Sequence, residues 1–183
     1  ISEVDLAANM GIETIITDHH SVLPTLPAAC AILNPNHPDS AYPFLGLTGV
    51  GVAFKLIEAL YEDMGLPWPD HLLELVALGT VADVGPLTGE NRFFVKMGLE
   101  KLNKTQNIGL KALAESAKLK FGSLDTESLS FGLIPRLNVA GRLGNAMMSL
   151  ELLTATDSSK AQELASKLEH KNSERQSLTE QSM

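Results

Sequence analysis

Apolar positions along this chain follow two rhythms, and the elements they predict outline a fold. Ile12-Glu13-Thr14-Ile15-Ile16-Thr17 is a short β-branched run that reads as a buried strand. Ser2 to Met10 before it reads as a helix closed by Gly11, giving half of a βαβ unit. Ala28 to Leu33, framed by Pro24, Pro27 and the run Asn34-Pro35-Asn36-His37-Pro38-Asp39, predicts a second short strand and then loop structure to about Gly49.

The period then changes. Val50, Ala53, Phe54, Ile57, Leu60, Tyr61 and Met64 recur at helical spacing until Gly65 and Pro67 stop them, so an amphipathic helix is predicted. His71 to Leu78 is apolar on nearly every side, as expected of a helix enclosed by its domain, and a Gly79-Thr80-Val81-Ala82 turn should place Asp83 at the end of a buried element. Further helices are predicted at Glu90 to Leu102, Ile108 to Ala117 and Asp125 to Ile134, the last capped by Asp125 or Thr126 and closed near Pro135. Gly141 to Gly144 reads as a turn, followed by a helix over Ala146 to Leu153. Asp157 caps a long polar segment with a thin stripe of Ala161, Leu164, Ala165 and Leu168, a pattern suited to a helix bridging two domains.

With 44% hydrophobic and 20% charged residues among 183, the chain can bury a real core. No apolar run approaches the length of a bilayer and no leader precedes the first strand, so the expectation is a cytoplasmic protein with no membrane partner. The start at Ile1 and the uncapped run from Ser173 to Met183 read as an excised fragment. Cys30, the single cysteine, sits among Ala28, Ala29, Ala31 and Ile32 and is expected to be a small buried side chain. The net charge of −8 hides an asymmetry: Ile1 to Asn91 carries −11 and Arg92 to Met183 carries +3. An acidic half suits divalent cations, and a mildly basic half suits phosphate or is simply a solvated helical surface.

The chemistry concentrates at Asp18-His19-His20, directly after the first strand. In open α/β sheets ligands collect beyond the carboxyl ends of the strands, and one carboxylate with two imidazoles delivers three candidate metal ligands there. Adjacent residues on an extended end point in different directions, so one histidine can bind metal while the other faces a substrate. Asp83 offers a second carboxylate, or an ordinary cap for the turn that follows it. Arg142 lies between glycines, as a guanidinium contacting phosphate or as a surface arginine on a tight turn. Gly49 and Gly51 at a helix start are better read as close packing than as a phosphate cradle.

Five blocks in order carry a resemblance: Ile15 to His20, Asn34-Pro35, Leu47 to Leu56, Gly79 to Val84, and Pro135 to Gly144. Together they resemble the DHH phosphoesterase superfamily, and within it the RecJ-type family of single-strand-specific DNA exonucleases. The resemblance implies an α/β fold with a parallel sheet flanked by helices, a partial phosphoesterase domain over 1–144, and a helical connector over 145–183 leading toward a second domain. It implies two divalent ions, Mn2+ or Mg2+, and hydrolysis of single-stranded DNA from the 5′ end to mononucleotides, in DNA repair and recombination. Single-strand-binding protein or a helicase would be further partners. By position, His19 and Asp83 match metal ligands, Asp18 and His20 catalytic residues, and Arg136, Asn138 and Arg142 a substrate-binding segment. The family's earlier aspartate motifs do not occur here, so the fragment alone is expected to be weakly active or inactive. The rival readings are a related phosphodiesterase acting on short oligonucleotides or cyclic dinucleotides, and a non-catalytic replication scaffold that binds DNA on the same fold.

Overall fold

A computed structural model describes residues 1–142 and 146–181, with Arg142 described by its backbone alone. By packing, the chain forms two units, Ile1–Gly98 and Leu99–Met183. Among the described residues, no helix is long and apolar enough to cross a membrane.

The first unit begins with α1 (Ser2–Asn9), and Gly11 at φ +73° turns the chain out of it, a backbone region open to glycine at little cost. Two strands follow, β1 (Ile15–Thr17) and β2 (Ala31–Leu33), paired in parallel with Ile16 opposite Ile32. The connection between them contains no helix; it is an irregular loop through the Asp-His-His turn and two prolines. Helix α2 (Gly49–Asp63) packs against β1 and against α3 (Leu73–Ala82), which is entered through a short 3-10 turn, Asp70–Leu72. Helix α4 (Gly89–Leu102) closes the unit and carries the boundary between the two. Leu47, Val52, Phe54, Leu73, Val76 and Phe94 form the core. Phe54 meets Phe94 edge-on with ring centroids 5.3 Å apart. Trp68 is half exposed and packs edge-on against Phe54, consistent with an anchor.

Three expectations are corrected in this unit. The first strand is shorter than Ile12 to Thr17 and is not buried: Ile15 and Thr17 are exposed and Ile16 is half-buried. A parallel strand is buried when helices cover both faces, and alternation here leaves only the middle residue on the covered one. Cys30 is exposed for a related reason, since it lies at the open entrance to β2. Gly79 to Ala82 is not a turn but the last turn of α3, with Asp83 as the C-cap.

The second unit is helical: α5 (Ile108–Ser116), α6 (Ile134–Arg142), α7 (Met147–Leu153) and α8 (Ser158–Gln181). Asn107 caps α5 through its side chain, and Asp157 accepts the Lys160 N–H at 2.7 Å where α8 begins. The thin stripe of α8 is core: Ala161, Leu164, Ala165 and Leu168 are buried, and the helix packs on α5, α6 and α7. The predicted stop near Pro135 fails. A π-helical stretch, Ser128–Leu133, runs directly into α6, so Pro135 lies inside a continuous helical run, just after a π stretch that already interrupts the i→i−4 ladder. Gly141 and the Arg142 backbone are consequently helical rather than turn; the rest of that expected turn, 143–144, lies outside the described residues.

Candidate metal centre

Two elements of the first unit end at one place. β1 runs out into Asp18, His19 and His20, and α3 ends at Asp83. His19 Nε2 lies 3.6 Å from Asp83 Oδ2, with both side chains partly solvent-accessible. Bonds from a first-row divalent ion to imidazole nitrogen or carboxylate oxygen are about 2.0–2.2 Å, so two donors this far apart fall within the span of one ion. The mixed nitrogen and oxygen pair suits manganese, whereas magnesium prefers oxygen alone. The two residues therefore fit a divalent metal. Among the described residues, no group of three or more His, Cys, Asp or Glu side chains converges on one point.

The turn that carries the histidines is closed by hydrogen bonds from side chains. Asp18 Oδ1 accepts the backbone N–H of His19 at 2.7 Å and of His20 at 3.2 Å. The same oxygen lies 2.7 Å from His20 Nδ1. Burial pushes the Asp18 carboxyl up, but these hydrogen bonds, that of the His20 ring foremost, outweigh it and hold the group below its usual value. His20 itself is largely exposed, and its ring lies 4.3 Å from that of His19, centroid to centroid.

Behind the site, α2 comes close. A Cβ on Gly49 would stand 3.3 Å from His19 Cδ2, so glycine lets the helix start approach the imidazole; the packing reading of this glycine holds. Thr48, the N-cap of α2, does not cap it by side chain; its hydroxyl lies 3.2 Å from that of Thr80 in α3, both buried. Gly85 follows Asp83 by two residues, and a Cβ there would stand 2.4 Å from Thr48 Cγ2. Asn91, fully buried, donates to the carbonyls of Gly46 at 2.7 Å and Pro86 at 3.1 Å, tying together the loops before α2 and after Asp83.

Asp83 stands at the end of the buried helix α3, as expected, and its carboxylate is 43% exposed because it sits past the last turn of that helix. The remaining candidates lie in the second unit. The Arg136 guanidinium is paired with Glu169 of α8 and donates to the Gly132 carbonyl at 2.8 Å, tying α6 to α8. Asn138 is exposed on α6, and the Arg142 side chain lies outside the described residues. Sequence reasoning gave no role to Asn36, Thr48, Thr80, Gly85 or Asn91; the run Asn34-Pro35-Asn36 signalled a loop, and Asn34-Pro35 a block of the resemblance, with no role for either asparagine.

Comparison with known proteins agrees with this architecture. A model of the DHH family, N-terminal domain, matches residues 1–80. The chain is similar to RecJ of Bacillus subtilis, a single-stranded-DNA-specific exonuclease, at 43% identity over 97% of its own length. It spans 22% of that relative. The crystal structure of RecJ from Thermus thermophilus in complex with Mn2+ superposes with a TM-score of 0.86 and 39% identity, covering 98% of this chain and 27% of that one. The same protein in complex with Mg2+ gives 0.78 at 39% identity, covering 93% of this chain and 25% of that one. The helix-rich fold around a small parallel sheet is similar to that of these RecJ structures, and the strand ending in Asp-His-His lies within the residues that the DHH family model matches.

Proposed function

We propose that this chain is the metal-holding core of a single-strand-specific DNA exonuclease that hydrolyses phosphodiester bonds from the 5′ end and releases mononucleotides. The observation that carries the reading is the His19 Nε2 to Asp83 Oδ2 approach of 3.6 Å. His19 and Asp83 hold a divalent ion, Mn2+ or Mg2+, as one of a pair. Such ions supply Lewis-acid stabilisation of the charge that develops on the phosphoryl oxygens. Asp18 orients His20 by engaging Nδ1, which leaves Nε2 to meet a phosphate oxygen or a proton in transit. Asn138 and Arg142 are the substrate-side residues of this reading, with Arg136 as their anchor through Glu169. Residues 1–144 form the phosphoesterase part, and 145–183 connect it to a further domain. Single-stranded DNA is the substrate, in repair and recombination, with single-strand-binding protein or a helicase as a partner.

The test is Mn2+ binding and hydrolysis of 5′-phosphorylated single strands by the whole protein, beside His19→Ala and Asp83→Asn. Both substitutions should weaken Mn2+ binding at least tenfold and abolish release of mononucleotides. Unchanged Mn2+ affinity in His19→Ala would remove the reading. Cleavage confined to dinucleotides, or DNA binding that ignores Mn2+ and never leads to cutting, would favour the rival readings.

A further inference from the structure

The four backbone polar groups of His19 and His20 lie beyond the last pairing of β1 with β2, so the sheet does not satisfy them. Asp18 takes both N–H groups, as described. The two carbonyls are taken from across the sheet, by the loop that leaves β2. Asn36 Nδ2 donates to the His19 carbonyl at 2.8 Å, and Asn34 Nδ2 donates to the His20 carbonyl at 3.0 Å. Asn34 also orients its neighbour, since its Oδ1 accepts the Asn36 N–H at 2.8 Å, an Asx-turn. Asn34 is buried and Asn36 is exposed.

We infer that Asn36, set by Asn34, is a positioning residue that fixes the His19 imidazole for the ion it shares with Asp83. The inference deepens the metal reading above and rests on it. Rotation of the His19 peptide would swing its ring away from Asp83, and the carboxamide of Asn36 blocks that rotation from the carbonyl side while Asp18 blocks it from the N–H side. Residues that orient a metal ligand typically change metal affinity by about ten- to a hundredfold when removed. Because Asn36 is exposed and on a loop, its removal should cost little in folding.

The experiment titrates Mn2+ alone into the whole protein by electron paramagnetic resonance, with thermal unfolding of each variant in the absence of metal. Asn36→Ala should weaken Mn2+ binding about tenfold while leaving the metal-free melting temperature within a few degrees of the parent. Asn36→Gln, which keeps a carboxamide donor, should recover part of the affinity. Wild-type Mn2+ affinity in Asn36→Ala would overturn the inference. So would a loss that tracks a fall in melting temperature and is not recovered by glutamine, since that is a purely structural effect. His19→Ala in the same titration separates the two readings. If it binds Mn2+ like the parent, the metal centre itself is wrong; if it loses binding and Asn36→Ala does not, only the positioning role falls.

Discussion

Asp83 and Val84 stand side by side at the end of α3, and each breaks a local rule. Asp83 puts a carboxylate at a helix C-terminus, where the macrodipole disfavours negative charge, and Val84 holds φ at +55°, a left-handed conformation that β-branched residues avoid. The hydrogen bonds show why the chain bends there. Val84 N–H donates to the Val81 carbonyl at 3.1 Å and Gly85 N–H to the Thr80 carbonyl at 3.2 Å, the two bonds of a Schellman motif with valine where glycine is usual. Local violations in adjacent residues are expected where a structure serves a site rather than its own stability.

Val84→Gly should therefore stabilise the chain. A left-handed valine costs about 1–2 kcal/mol, and glycine's extra unfolded-state entropy takes back about 0.5–1 kcal/mol. The valine side chain is 88% exposed, so its removal loses no packing. A net gain of about 0.5–1 kcal/mol is expected from denaturant unfolding, and a loss of stability would show that the valine is held by contacts.

Asp83→Asn should separate stability from metal binding. The carboxylate is partly solvated, its histidine partner is an exposed-site pair worth at most about 1 kcal/mol, and the helix dipole opposes it by a similar amount. Metal-free stability should stay within about 0.5 kcal/mol of the parent while Mn2+ affinity falls. A large drop in metal-free stability would mean that Asp83 is a structural residue.

Gly98→Ala and Gly109→Ala should each destabilise by at least about 2 kcal/mol, because overpacked helix contacts yield only when backbones move apart. A Cβ on Gly98 would lie 2.2 Å from the Leu73 carbonyl oxygen, and one on Gly109 would lie 1.8 Å from that of Leu152. Denaturant midpoints for the two variants measure this; Gly65→Ala is no matched control, because Gly65 has φ +65°.

Alkaline pH should destabilise the first unit through Tyr42. Burial, and then the hydrogen bond its hydroxyl donates to Glu90 Oε2 at 2.7 Å, push the phenol from 10.0 up to about 12. A group whose folded value is raised favours the protonated form in the fold. Its contribution is therefore fully present below pH 10 and is lost as the pH climbs toward about 12. Unfolding free energies across this range should fall less steeply in Tyr42→Phe than in the parent. Equal slopes would dismiss the tyrosine as the cause.

The sequence by itself determined the helices and the nature of the donors. α2, α5, α7 and α8 lie close to where apolar period, caps and glycine stops put them, because those signals are local and reinforce one another. The imidazoles and carboxylates of the site were equally legible, since a strand ending in Asp18-His19-His20 names its own chemistry. Packing overruled the local signal elsewhere. Pro135 reads as a stop until a π-helical stretch directly ahead of it is seen to interrupt the i→i−4 ladder, and the β-branched run at Ile12 to Thr17 reads as buried until the number of layers covering it is known. Tertiary structure alone decided how closely Asp83 approaches His19, that Asn36 reaches the His19 carbonyl, and that Arg136 is occupied by Glu169. Each of these joins residues distant in sequence, and an amino-acid pattern carries no term for the distance between such groups until the helices and strands have packed.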